Sequence, residues 1–261
     1  MSKEHKKYLK KLKITNYIIK ISQIMILVLF ILIWQILADK EIINTFIFSS
    51  PKKILETILD LYKTNNLFIH IWVTIYETII SFVVGTILGI IIASILWRFE
   101  IIAKIIDPYL TILNSLPKVA LGPIIIIWAG ASIKSIILMA LLISVIITII
   151  NIYQSFKEVD KLKIRLLESF KATKSQIYFK LLLPSSLENI ISTLKINISM
   201  SLVGIIMGEF LVSKQGIGYL IMYGSQVFNL SLVITGIFIL AIVSVIMYYV
   251  IMILERKFFN Q

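Results

Sequence analysis

Four ionisable side chains stand inside otherwise apolar runs of this sequence: Glu77, Lys118, Lys195 and Glu209. An unpaired charge in hydrocarbon costs at least about 2.5 kcal/mol even on lenient insertion scales, so each must face protein, water or an interface. Lys118 and Lys195 are the candidate contacts for a small anion, which would need a cation in apolar surroundings. Both can equally snorkel to a span end along their own methylenes. Glu209 lies near the end of its run, where access to solvent is a sufficient explanation. Little else here could do chemistry. There is no cysteine, which removes thiol catalysis, disulfides and cysteine metal sites. The two histidines, His5 in a lysine run and His70 at a span edge, make no metal-ligand set, and no cofactor is expected. No Gly-x-x-x-x-Gly-Lys-Ser/Thr phosphate loop occurs, so the chain has no such cradle for a nucleotide of its own. A membrane-embedded enzyme would need His, Asp, Glu or Ser gathered at one depth of a bundle. No two intramembrane acids share a span, and the chain is read as no enzyme.

The elements that hold these groups follow from composition. Of 261 residues, 59% are apolar and 15% charged, and the mean hydropathy is +0.96, far from the balance of a soluble domain. Runs long enough to cross a bilayer as helices lie at about 18–38, 72–97, 108–130, 135–153, 189–212 and 231–254. They predict an all-α membrane protein with one domain over 18–261 after a basic tail, 1–17. The third run is broken by Asp107, Pro117, Lys118 and Pro123 into an interfacial half and a membrane half. The amino end has the charged-then-apolar order of a secretory signal, but the run from Ile18 to Ala38 is of full spanning length and no small-residue cleavage site follows, so it reads as an uncleaved first span. Of the 26 Lys and Arg residues, seventeen fall in 1–17, 98–104, 154–186 and the carboxyl end, six fall on the opposite side, and three sit in or beside spans. That asymmetry places both termini and the 154–186 loop in the cytoplasm. The net charge of +12 is thereby assigned to cytoplasmic loops and anionic lipid headgroups, and no loop is large enough for a folded nucleic-acid-binding module.

Two connecting segments carry pattern. SSPKKILETILDLYKTN reads as a short amphipathic surface helix capped by Ser49 or Ser50, with Pro51 in its first turn. In the loop, Leu162, Leu166, Phe170, Ile177 and Leu181 fall near helical spacing with charges between, predicting one short amphipathic helix or a pair. Pro184 and the serines after it mark a break, and Ser185 or Ser186 can cap the next span. The loop reads either as a topology anchor or as a docking helix for a cytoplasmic partner. Gly85-Thr-Ile-Leu-Gly89 and Gly204-Ile-Ile-Met-Gly208 place two glycines one turn apart and predict close helix packing, within or between subunits.

The stretch from Lys171 to Pro184, KATKSQIYFKLLLP, resembles the cytoplasmic signature loop of binding-protein-dependent ABC importer permeases: Glu-Ala-Ala, three residues, Gly, then a run to Leu-Pro. With Pro184 on that proline, Arg165, Leu166 and Leu167 occupy the Glu-Ala-Ala positions and Lys171 the glycine. Both are departures, though Glu168 can offer a carboxylate near the same face. Asn114-Ser-Leu-Pro-Lys-Val-Ala-Leu-Gly-Pro123 with Ile-Ile-Ile-Ile-Trp-Ala-Gly130, and Gly208-Glu-Phe-Leu with Gln215-Gly-Ile-Gly-Tyr-Leu220, resemble the branch importing sulfonates, taurine, nitrate and similar solutes. The similarity covers about residue 70 to the end. It implies a six-helix bundle of the type I importer (MetI-like) kind with a cytoplasmic coupling helix. It also implies a pore formed by two copies, or by this chain and a close relative, on a cytoplasmic ATPase dimer, fed by an extracytoplasmic solute-binding protein. Arg165, Glu168, Phe170, Lys171, Ala172 and Pro184 are the implied ATPase-coupling residues. Thiamine-precursor importers share these motifs and are the alternative cargo class. An ion-coupled secondary carrier is a more distant alternative, disfavoured by the single long cytoplasmic loop.

Overall fold

The computed structural model of the chain describes residues 3–64 and 66–259. Those residues are helical almost throughout, as follows for apolar segments whose backbone groups must be satisfied internally. Helix α1 spans Lys3–Asp39, α2 Thr45–Phe48 and α3 Pro51–Lys63. Ser50 Oγ accepts from the Lys53 N–H at 3.2 Å and Pro51 opens α3. The first-turn proline removes a donor that would otherwise go unused. Next come α4 (Asn66–Arg98), α5 (Glu100–Ser115), a 3₁₀ turn (Lys118–Leu121), α6 (Gly122–Ala129) and α7 (Ile133–Glu158). The loop holds α8 (Lys161–Ser169), α9 (Lys174–Ile177), a π turn (Tyr178–Leu182) and α10 (Leu183–Ser185); α11 (Leu187–Val212), α12 (Ile217–Gln226) and α13 (Leu230–Phe259) complete the chain.

Five of these helices are long and apolar enough to cross a membrane, and a sixth crossing is formed if α5 and the Lys118–Ala129 pair count as one span bent by 91°. The bend has a local cause. Leu116, before Pro117, takes an extended conformation (φ −65°, ψ 137°), because the proline ring disfavours helix in the residue preceding it. Helix α5 also starts at Glu100, so most of the expected 98–104 turn is helical.

Helix α7 is the centre of the bundle, with α4 along one side and α11 along the other. The close packing comes from the glycine pairs. A Cβ at Gly204 would lie 2.4 Å from the Ala140 Cα, and one at Gly208 2.9 Å from the Ile136 Cα, while Gly85 and Gly89 meet Ser144 and Thr148. All four contacts are with α7 of the same chain, which settles them as packing sites inside the subunit. By contrast α1 is peripheral: only 6% of its most apolar stretch is buried, against 56% for α7. Trp34 stacks on Phe238 of α13 with centroids 5.8 Å apart.

Candidate functional site

Two regions concentrate polar or unpartnered side chains: the loop at the α8 end of the bundle and a buried seam between α4, α7 and α11. In the loop, α8 is closed at both ends by local hydrogen bonds. The Asp160 carboxylate accepts from the Leu162 N–H at 2.8 Å, a standard N-cap. At the other end Lys171 is left-handed (φ 59°), its N–H donates to the Glu168 carbonyl at 2.8 Å, and the Ala172 N–H donates to the Leu167 carbonyl at 3.0 Å. This pair of bonds is a Schellman motif with Lys171 at the position that prefers glycine. The resemblance aligns a glycine with Lys171, and this left-handed conformation is one that glycine adopts at no steric cost. Thr173 and Gln176 then form a capping box that starts α9.

The expected apolar stripe divides into two. Leu162, Leu166 and Phe170 lie four residues apart and are exposed, Phe170 by 74%. Ile177 is buried, and Leu181 packs against a core cluster of Ile152, Phe156, Leu182 and Ile190. Arg165 and Glu168 are exposed on α8 beside the outward part of the stripe. Pro184 is not the break expected from the sequence. The chain stays helical past it, and Ser186 caps α11 with no side-chain hydrogen bond. Instead the backbone widens ahead of the proline, where the Leu183 N–H reaches the Tyr178 carbonyl in the π turn. A proline lacks its own N–H and crowds the carbonyl four residues before it, so a wider turn relieves both problems. Tyr178 ties this turn to the bundle: its hydroxyl is 2.8 Å from Ser94 Oγ, and its ring meets Trp97 and Phe156. The structure thus unites Arg165, Glu168, Phe170, Lys171 and Ala172 on one helix and its cap, with Pro184 apart from them beyond the Tyr178 joint.

The seam is the reverse of a soluble core. Helix α4 turns Phe68, Trp72, Tyr76, Ile79 and Val83 outward and buries His70, Thr74, Glu77, Thr78 and Ser81. At its Asn66 end this face captures the start of α12. The Gly216 N–H donates to His70 Nδ1 at 3.0 Å, the Ile217 N–H to Thr74 Oγ1 at 2.8 Å, and the Gly218 N–H to Glu209 Oε2 at 2.5 Å. Thr74 Oγ1 in turn donates to Glu209 Oε1 at 2.6 Å. Three N–H groups that a helix start leaves without partners are therefore taken by side chains, with a carboxylate at the positive end of the helix dipole. Gly216 has φ 106°, and a Cβ there would lie 2.3 Å from the Glu209 carboxylate. Glu209 is 1% exposed, which corrects the expectation of solvent access. Further along, Asn197 Nδ2 donates to Thr86 Oγ1 at 2.7 Å.

The two lysines singled out from the sequence lie apart from this knot. Lys118 is half-buried at the 91° bend, its Nζ donating to the Asn114 carbonyl at 2.5 Å. Lys195 pairs with Glu255 of α13 at 2.7 Å, each side chain about a quarter exposed at 25% and 28%. Sequence reasoning missed the His70–Thr74–Glu209 knot. Its signal is present, since polar side chains recur every three or four residues along an otherwise apolar α4. Among the described residues no group of three or more His, Cys, Asp or Glu could hold a metal ion.

Residues 85–260 match the family model of the binding-protein-dependent transport system inner membrane component. A putative aliphatic sulfonates transport permease protein of Bacillus subtilis is 26% identical, over 87% of this chain and 82% of its own length. A formylaminopyrimidine transport permease protein of Halalkalibacterium halodurans is also 26% identical, over 72% and 74%. A taurine transport system permease protein of Escherichia coli is 20% identical, over 86% and 84%. Among solved structures, an inward-facing MetNI methionine ABC transporter chain superposes with a TM-score of 0.64 at 17% identity, covering 72% of this chain and 94% of that one. The chain therefore belongs to the family of binding-protein-dependent transport system inner membrane components, a multi-pass permease subunit of an ABC importer for small solutes, and that membership implies an ATPase and a solute-binding protein as partners.

Proposed function

We propose that this permease carries a small anion or a small solute with an anionic group, such as a sulfonate, taurine or nitrate, works as a homodimer, and leaves ATP hydrolysis to a separate cytoplasmic ATPase dimer that docks on α8. The observation that carries the docking is the exposed Leu162–Leu166–Phe170 stripe on a helix capped at both ends and joined to α4 and α7 through Tyr178. A rigid helix with an apolar anchor and a charged rim from Arg165, Glu168 and Lys171 is the form of a protein–protein contact. The lysine and arginine distribution supports placing α8, the 1–17 tail and the carboxyl end in the cytoplasm. The ends bearing Lys53, Lys134 and Lys214 then face outward. The relatives named for sulfonates and taurine support the anion, and Lys118 at the bend is the cation it would meet. Lys195 could do the same only in a conformation that breaks its pair with Glu255. The formylaminopyrimidine relative supports the second reading, a thiamine-precursor cargo.

The test uses the cysteine-free sequence. Lys171→Cys should react with a membrane-impermeant maleimide only in inside-out vesicles and Lys53→Cys only in right-side-out ones; reversal overturns the topology. Reconstituted with its ATPase and binding protein, the chain should take up labelled sulfonates only when ATP is supplied. Uptake driven by an ion gradient without ATP would instead establish a secondary carrier. ATP turnover by the chain alone would refute the division of labour.

A further inference from the structure

Glu77 is the carboxyl group of the buried seam that no described residue engages. Its residue is 0% exposed and neither carboxylate oxygen has a hydrogen-bond partner, whereas both oxygens of Glu209 are bonded. An ionisable group held so within a span is costly to keep without a use. Glu77 also borders a cleft of about 360 Å³ between α4, the start of α7 and the 213–215 loop, with Ser132, Lys214 and Gln215 at its polar rim. That volume is at the small end of small-molecule sites, which hold a few converging polar groups among apolar walls. Two rim hydroxyls are already committed: Ser132 is bound up with Ser135 in the capping box of α7, and Ser213 Oγ donates to the Gln215 carbonyl. What remains is one acid beneath the floor and, at the rim, the exposed Lys214 beside the Gln215 side chain, with no ion pair between Glu77 and Lys214.

We propose that this cleft is a solute subsite for a small zwitterion, with Glu77 accepting from its ammonium group and Lys214 holding its acid group. A simple anion would meet Glu77 at the floor without compensation, and a simple cation would meet Lys214 at the rim. A molecule bearing both charges a few bonds apart satisfies both and leaves no charge unpaired. Reaching the buried carboxylate requires a change of the Glu77 rotamer as the ammonium group enters. The proposal rests on the reading of the chain as an importer of small solutes and narrows its cargo.

The experiment uses the purified permease–ATPase complex with three probes: taurine, which carries both charges, ethanesulfonate, which lacks the amine, and ethylamine, which lacks the acid. Binding is read by thermal shift and by titration. Taurine should bind at least tenfold more tightly than either analogue, and Glu77→Gln and Lys214→Gln should each remove at least tenfold of that preference. Lys214 is exposed, so its variant keeps the test valid should Glu77→Gln fail to fold. Equal affinity for ethanesulfonate and taurine, unchanged binding in the variants, or no binding of any probe would each overturn the subsite. ATPase retention on the same preparation separates the outcomes: a complex that keeps its ATPase but shows no zwitterion preference sinks the subsite alone, and loss of the ATPase sinks the importer reading.

Discussion

The buried seam and the cytoplasmic loop use side-chain types in opposite senses. In the seam, polar groups are inside: Thr74, Glu209 and Asn197 are at most 1% exposed and bonded within the chain. In the loop, apolar groups are outside, with Leu162, Leu166 and Phe170 exposed on α8. The seam turns its apolar backs outward, so its polar fronts bond to one another where they can, as Thr74 does with Glu209, and Glu77 is left unpaired. The loop lies beyond the spans, and the apolar stripe there stays exposed among the described residues. One region bonds most of its polar groups within the subunit and leaves Glu77 over, and the other presents the stripe that the proposed ATPase contact would cover.

The sharpest way to break the comparison is to force the seam apart. In Gly204→Leu the new side chain starts 2.4 Å from the Ala140 backbone, which cannot swing away, so about 3 kcal/mol or more of stability should be lost. Size-exclusion profiles in detergent should show aggregated or degraded protein; a monodisperse, heat-stable variant would contradict the packing. Glu209→Leu is next, leaving the Gly218 N–H and the Thr74 hydroxyl without their acceptor at roughly 1–3 kcal/mol. A lower melting temperature with α12 opened to protease is expected, and the same melting temperature as the parent would remove the knot as a stabilising element.

The loop should respond differently. Phe170→Asp puts a charge on an already exposed position, so thermal stability of the isolated chain should stay within about 0.5 kcal/mol. Retention of the ATPase by washed membranes should fall more than tenfold, because an unpaired charge would be buried in the contact. Full retention and uptake would return the loop to a topology anchor. Tyr178→Phe keeps the ring contacts and deletes the hydroxyl that meets Ser94, and should lower transport per ATP a few-fold while ATPase retention is unchanged. The smallest effect is at Lys171→Gly. Removing the side chain from a left-handed residue should stabilise α8 by about 0.5–1 kcal/mol, detectable as slower amide exchange at Leu167 and Glu168, and faster exchange would refute the strain. Lys171→Glu should weaken ATPase binding in a salt-dependent way, as a screened rim charge does.

What could be read from the sequence differs between the regions for a physical reason. The hydrophobic runs and the Leu162–Leu166–Phe170 spacing are local patterns, and local periodicity survives in a single string of residues. The third run was already divided by Pro117, although its 91° angle was not foreseeable. The knot was missed because its members are far apart: Thr74 and Glu209 are separated by 135 positions, and His70 and Gly216 by 146. Only the α4 half of it leaves a periodic trace, in the polar residues at three- and four-residue steps. The sequence predicts a stop at Pro184 because proline usually ends a helix, and a π turn ahead of it lets the helix continue.

The polar front of α4 bears on how the chain enters the bilayer. A helix emerging from the ribosome with His70, Thr74, Glu77, Thr78 and Ser81 on one side is a poor candidate to leave the insertion channel alone, since Glu77 by itself works against partitioning into lipid. Its packing partners are α7, which starts at Ile133, and α11, which starts at Leu187. The partners of Thr74 and Thr86 in particular, Glu209 and Asn197, are synthesised more than a hundred residues later. Release of α4 into lipid is therefore expected to wait until α11 has been translated, with the half-made subunit held at the channel or by a membrane chaperone in the meantime.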